Sequence, residues 1–141
     1  QRNIELNYSN LARSETVIIA DPEQMKKVIN NIISNSIKYM DKPHGVIDIR
    51  ILDEVDSIRV EIEDNGKGIA QKNVPRIFER FYRTDAARNS AQGGSGIGLS
   101  IVKKIIEDHG GYIWATSREG EGTCMHFVLR KYIELQDERQ D

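Results

Sequence analysis

The chain has one cysteine, Cys124, so it cannot build a disulfide framework, and a reducing compartment is expected. It also lacks an excess of one charge. Twenty Lys and Arg stand against 22 Asp and Glu, a net charge of −2 at neutral pH. No broad basic footprint is present, and no nucleic-acid partner is expected. No apolar run approaches the roughly 18 residues that cross a membrane, and no signal peptide is visible. Direct membrane contact by this domain is not expected. The sequence opens on Gln1 without an initiator Met, as an excised piece of a longer chain would, which leaves room for a membrane anchor elsewhere. There are no internal repeats. What is present, 38% hydrophobic and 30% charged residues, suits a soluble globular protein. A length of 141 residues suits one domain spanning 1–141, with an ordered core at about 3–133 and a charged tail at 134–141 that frays.

Residues 4–8 (IELNY) and 16–20 (TVIIA) read as short strands. Asp21, Pro22 and Glu23 supply an N-cap, a proline at the first helical position and an acidic first turn. A helix is expected from there to about Tyr39, with Met25, Val28, Ile29, Ile32, Ile33 and Ser36 toward a core. HGVIDIRIL and SIRVEIED alternate as two strands of a hairpin. Residues 72–80 read as a short helical segment carrying Pro75. Residues 84–94 are small and polar and read as a long mobile loop. A second amphipathic helix is expected over 97–109, ended by Gly110 and Gly111. YIWATS and TCMHFVLRKYI make two further strands. The order predicts an α+β fold: a two-layer sandwich with a mixed, mostly antiparallel sheet of about five strands and three helices on one face. The other face should be polar, since Asp48, Arg50, Arg59, Glu61 and Glu63 alternate onto it.

Three constellations carry chemistry. By strand parity Asp64 shares the apolar face of Ile58, Val60 and Ile62, and glycines follow at once. An unpaired buried carboxylate is costly. Either parity breaks and Asp64 caps a turn, or it faces a pocket whose occupant brings donors. On the first helix Asn31, Asn35 and Lys38 are spaced four and three apart and share one side. That side is either solvated or a row of a hard amide oxygen, suited to Mg²⁺, and a cation suited to phosphate. Gly94, Gly96 and Gly98 alternate into a helix start, as a phosphate cradle or a hinge would require. The run matches neither the P-loop nor the Rossmann fingerprint.

In order, NNIISNSIKY, DNGKGI, RIFERFYR and GGSGIGLSIV resemble the N, G1, F and G2 boxes of the ATP-binding domain of bacterial sensor histidine kinases. This domain has the Bergerat fold of the GHKL superfamily. The resemblance spans about residues 3–129. It implies ATP or ADP and Mg²⁺ as ligands. It makes Asn35 the Mg²⁺ ligand, with Asn31 also near the phosphates, and Lys38 a phosphate contact. Tyr39 would flank the adenine. Asp64 would accept from its amine, with Gly66, Gly68 and Ile69 beside the purine. Phe81 belongs to the F box, and Arg83 would reach the γ-phosphate. Residues 84–94 correspond to the ATP lid. Gly94, Ser95, Gly96, Ile97, Gly98 and Leu99 form the glycine-rich cradle, and Thr123 corresponds to a threonine near adenine. Asn35, Lys38 and Arg83 are the implied catalytic residues.

The family's phosphoacceptor histidine lies in a preceding helical hairpin, and none of His44, His109 and His126 has its context. All three read as structural, and no His/Cys cluster along the sequence suggests zinc. The implied activity is transfer of the γ-phosphoryl group of ATP to a histidine on a separate dimerisation domain, then to a response regulator. The isolated chain should bind ATP but autophosphorylate poorly. The implied location is a cytoplasmic domain of a membrane-anchored kinase. Two rivals differ: a serine kinase of the anti-sigma-factor type, against which FERFYR argues, and a nucleotide-gated module without transfer.

Overall fold

Asp21 and Pro22 set where the first helix begins. The Asp21 Oδ1 accepts from the Glu23 and Gln24 amides at 2.9 and 3.3 Å, and Pro22 opens the helix, where its missing N–H costs nothing. Helix α1 runs Pro22–Lys38. Its asparagines and β-branched residues are poor helix formers, each costing a few tenths of a kcal/mol against alanine. Packing outweighs that: Val28 and Ile32 are buried, and complete burial of such a side chain stabilises by about 1.5–3 kcal/mol.

The computed structural model describes residues 3–13, 15–80, 82 and 98–132. They form five strands, β1 (Asn3–Asn10), β2 (His44–Asp53), β3 (Ser57–Asp64), β4 (Tyr112–Arg118) and β5 (Gly122–Arg130), and a second helix, α2 (Gly98–Asp108). The sheet order is β1-β2-β3-β5-β4. The β1–β2 pair is parallel and the others are antiparallel, so the sheet is mixed and mostly antiparallel as expected. Val28 and Ile32 of α1 and Val102, Ile105 and Ile106 of α2 meet Ile58, Val60 and Ile62 of β3 and Met125, Phe127 and Leu129 of β5. The helices thus cover one face. The other carries Arg50, whose guanidinium binds Glu61 and Glu63, both at 3.0 Å.

Two expectations change. Residues 16–20 form no strand beyond a single bridge from Ile18 to Lys131. β3 takes one side of β5 throughout and β4 the other as far as Val128, so this run meets only the short end of that edge. The third helix shrinks to one 3₁₀ turn, Val74–Arg76, leaving two α-helices among the described residues. Pro75 has no N–H to donate, and the Arg76, Ile77 and Glu79 amides each reach back three residues rather than four. The loop at 84–94, most of the glycine run and the tail lie outside the described residues.

His109 ties the two helices together. Its Nε2 accepts from the Asp21 amide at 3.1 Å, so Nδ1 carries the proton and donates to the Ile105 carbonyl at 2.8 Å. The C-terminal end of α2 is thereby joined to the N-cap of α1, which makes this histidine structural.

Candidate functional site

Between α1, the end of β3, the start of α2 and β5 lies a cavity of about 260 Å³. The helical spacing of α1 delivers Asn31, Ser34, Asn35 and Lys38 to one wall, with Tyr39 at the helix end. The sheet contributes Asp64, Thr123 and Met125, the loop after β3 contributes Lys67, Gly68 and Ile69, and α2 contributes Gly98 and Leu99. Ile77 and Tyr82 close the apolar side.

Asp64 sits at the floor and resolves the ambiguity of its sequence. Its Oδ1 accepts from the Gly66 amide at 2.9 Å, so it does cap a turn. The same oxygen lies 3.3 Å from the Thr123 amide, and the carboxylate also takes a hydrogen bond from Ser36. Yet the residue still lines the cavity. Burial raises its carboxyl above the ordinary aspartate value, and the hydrogen bonds from Gly66, Ser36 and Thr123 only partly oppose this. A half-buried, turn-anchored acceptor therefore faces the pocket.

A hydroxyl cluster holds the neighbouring wall. Ser117 Oγ donates to the Gly122 carbonyl at 2.9 Å, accepts from the Ile69 amide at 2.8 Å and lies 2.8 Å from Thr123 Oγ1. It joins the loop after β3 to the β4–β5 hairpin. Lys38 and Lys67 each place Nζ 5.6 Å from the centre of the Tyr39 ring, so two cations flank one aromatic at the cavity wall.

Of the residues the sequence pointed to, Asn31, Asn35, Lys38, Tyr39, Asp64, Gly68, Ile69, Gly98, Leu99 and Thr123 line this one cavity. Gly66 does not line it. A Cβ on Gly66 would come within 2.8 Å of the Tyr39 carbonyl oxygen. Gly68 has φ +74°, and its Cβ would lie 2.2 Å from the Arg118 carbonyl oxygen. Both glycines are thus required by backbone packing. Phe81, Arg83, Gly94, Ser95, Gly96 and Ile97 lie outside the described residues. Sequence reading missed Ser34, Ser36, Lys67, Ile77, Tyr82 and Met125 as lining residues. Ser34 was within reach, being three from Asn31 and four from Lys38. Met125 shares the parity of Thr123. Ile77 and Tyr82 lie within the RIFERFYR segment, but no periodicity there marks which of its residues turn to the cavity. None of the three histidines lines the cavity.

Residues 20–133 match the model of the histidine kinase-, DNA gyrase B-, and HSP90-like ATPases, and the chain belongs to this family. Sensor histidine kinase WalK of Bacillus subtilis is 38% identical over 130 residues, covering 92% of the chain and 21% of WalK. The catalytic domain of histidine kinase ThkA superimposes with a TM-score of 0.76 at 32% identity, covering 92% of the chain and 81% of ThkA's. The mycobacterial sensor histidine kinase MprB gives a TM-score of 0.78 at 28% identity, covering 91% and 84%. Within the family, the chain is therefore an ATP-binding catalytic domain of the sensor histidine kinase kind. It spans about a fifth of the length of WalK.

Proposed function

We propose that this chain is a single domain that binds ATP with Mg²⁺ in the cavity between α1 and the Asp64 end of β3. In the intact kinase it passes the γ-phosphoryl group to a histidine of a separate dimerisation domain, and from there to a response regulator. The observation that supports this reading is the opposition of Asn31, Asn35 and Lys38 on one wall to the half-buried Asp64 acceptor on the other. One end suits phosphates and the other an amine donor such as that of adenine. No helix among the described residues is long and apolar enough to cross a membrane. A cytoplasmic domain of a membrane-anchored protein fits this reading.

Phosphoryl transfer needs mainly positioning and charge neutralisation. Lys38 contributes positive charge, and Tyr39 with Lys67 borders the base. Thr123, held by Ser117, and the Asp64 carboxylate orient the purine edge. The donors on the α1 wall fit a hard divalent ion, because the Asn31 and Asn35 amide oxygens are neutral hard ligands. Asn35 is the residue assigned to hold it. Bound there, Mg²⁺ would neutralise phosphate charge. Arg83 and residues 94–97 keep the roles implied by their motifs.

The decisive experiment is equilibrium binding of ATP with and without Mg²⁺. Wild type should bind at millimolar nucleotide or below, and no affinity there would remove the reading. The Asn35→Ala variant should lose most of the Mg²⁺ dependence. An unchanged Mg²⁺ response would assign the metal to another residue. Incubated alone with labelled ATP, the pure chain should form almost no acid-labile phosphate. His44 is exposed at a strand start, His109 bridges two helices, and His126 sits on the face away from the helices. Adding the dimerisation hairpin as a separate polypeptide should restore transfer to its histidine. Stoichiometric label on any histidine of this chain would overturn the division of labour.

A further inference from the structure

The sheet face without helices carries a cluster that nucleotide chemistry does not use. Cys124 and His126 are two apart on β5 and project to that face. The strand register sets Glu61 of β3 opposite His126. One ligand atom from each of Glu61, Cys124 and His126 lies within 4.8 Å of the others. Glu61 Oε2 is 3.0 Å from His126 Nδ1. The other ring nitrogen, Nε2, is 2.9 Å from Thr116 Oγ1, and Trp114 stacks on the ring at 4.9 Å and 3°. Ligating histidines are commonly held this way, one nitrogen toward the metal and the other bonded to an oxygen that fixes the ring.

We propose that Glu61, Cys124 and His126 form a site for a thiophilic divalent cation of the zinc class. A thiolate and an imidazole favour such an ion over Mg²⁺ or Ca²⁺, and one carboxylate is a common third ligand. The fourth position is left to water.

The surrounding charges can release Glu61. Arg50 holds Glu61 through Oε1 and has Glu63 as a second partner, both at 3.0 Å. Arg59 approaches Glu61 Oε2 only at 3.5 Å, and its buried Nε has no hydrogen-bond partner. Glu54, at 3.8 Å, is its alternative carboxylate. Oε2 can therefore turn to a cation while each arginine keeps an acidic neighbour. Binding balances as follows: the Cys124 S–H bond breaks, a metal–sulfur bond forms, and one proton leaves to solvent. His126 ligates as the neutral ring: Nδ1 gives up the proton it shares with Glu61, and Nε2 carries one that it donates to Thr116. The ring's proton count is unchanged, and the ionised Glu61 releases none.

The test uses the full chain stripped with chelator and titrated with Co²⁺, then Zn²⁺. Wild type should take up one Co²⁺ with a sulfur-to-metal charge-transfer absorption, which Zn²⁺ abolishes by displacement. The band should vanish in Cys124→Ser. Thr116→Val, which leaves all three ligands in place, should weaken Zn²⁺ binding roughly 10- to 100-fold. His126→Asn and Glu61→Gln should weaken it further. Zn²⁺ should raise the unfolding temperature of wild type and of Asn35→Ala, but not of Cys124→Ser. A Co²⁺ complex without the sulfur band, or equal Zn²⁺ affinity in wild type, Cys124→Ser and Thr116→Val, would overturn the proposal.

Discussion

Replacing Asp64 by asparagine is expected to lower ATP affinity roughly 10- to 100-fold and leave the fold intact, because a hydrogen bond to a charged acceptor contributes about 1.5–3 kcal/mol. The amide oxygen of asparagine can keep the bonds from the Gly66 and Thr123 amides and from Ser36. Its NH₂ group would then confront the adenine amine, donor against donor. Folding should not suffer. Burial raises the Asp64 carboxyl, so the native state holds its proton more tightly than the unfolded chain. Such a group costs stability as pH rises through the unfolded and then the folded value, and the cost persists at neutral pH. Asparagine carries no such cost. Titration calorimetry with ATP, beside thermal unfolding, separates the two effects. Inosine triphosphate, with a carbonyl in place of the amine, should lose less on the substitution than ATP does. Normal ATP binding by Asp64→Asn, or an unfolded variant, would reduce Asp64 to a turn residue. For wild type, acidification should weaken ATP binding sooner than an exposed aspartate would require.

Gly122→Ala should be the most damaging small substitution. Gly122 has φ +131°, and a Cβ there would lie 1.9 Å from the Asp64 carbonyl oxygen and 2.8 Å from its carbonyl carbon. Backbone on both sides must move, and β3 cannot shift at Asp64 without disturbing the pocket floor. Left-handed strain of about 1–2 kcal/mol and overpacking of about 1–3 kcal/mol together predict a loss of roughly 2–5 kcal/mol. In a domain of this size that lowers Tm by roughly 5–20 °C. Gly120→Ala, in the same turn, is the control. Its φ is +80°, but no atom lies within 4 Å of the added Cβ, so only the backbone strain of about 1–2 kcal/mol applies. Calorimetric unfolding of both variants checks the difference. Equal losses would mean that strain alone decides, and that the contact with Asp64 relaxes freely.

Local periodicity was enough to find much of this molecule. The spacing of Asn31, Asn35 and Lys38 defines one helix side in any α-helix, and that side does line the cavity. Alternation along β3 put Asp64 on the inner face, where it lies. Asp21 and Pro22 marked the start of α1 to the residue. These features depend only on neighbours a few positions away. The partners of Asp64 do not: Thr123 is opposite it because β3 and β5 pair in one register, 59 residues apart in the chain. Residues 16–20 have the composition of a strand, but a strand also needs a length of free edge, and β3 and β4 leave only the short end of β5 past Val128. The glycines after Asp64 were legible as necessary, yet their contacts with the Tyr39 and Arg118 carbonyls appear only when distant backbone is packed against them. The grouping of Glu61 with Cys124 and His126 is of the same kind. The sequence by itself determined which residues share a face, because that follows from helix and strand periods. Tertiary structure alone decided which faces meet, because strand register and packing are set by the whole core at once.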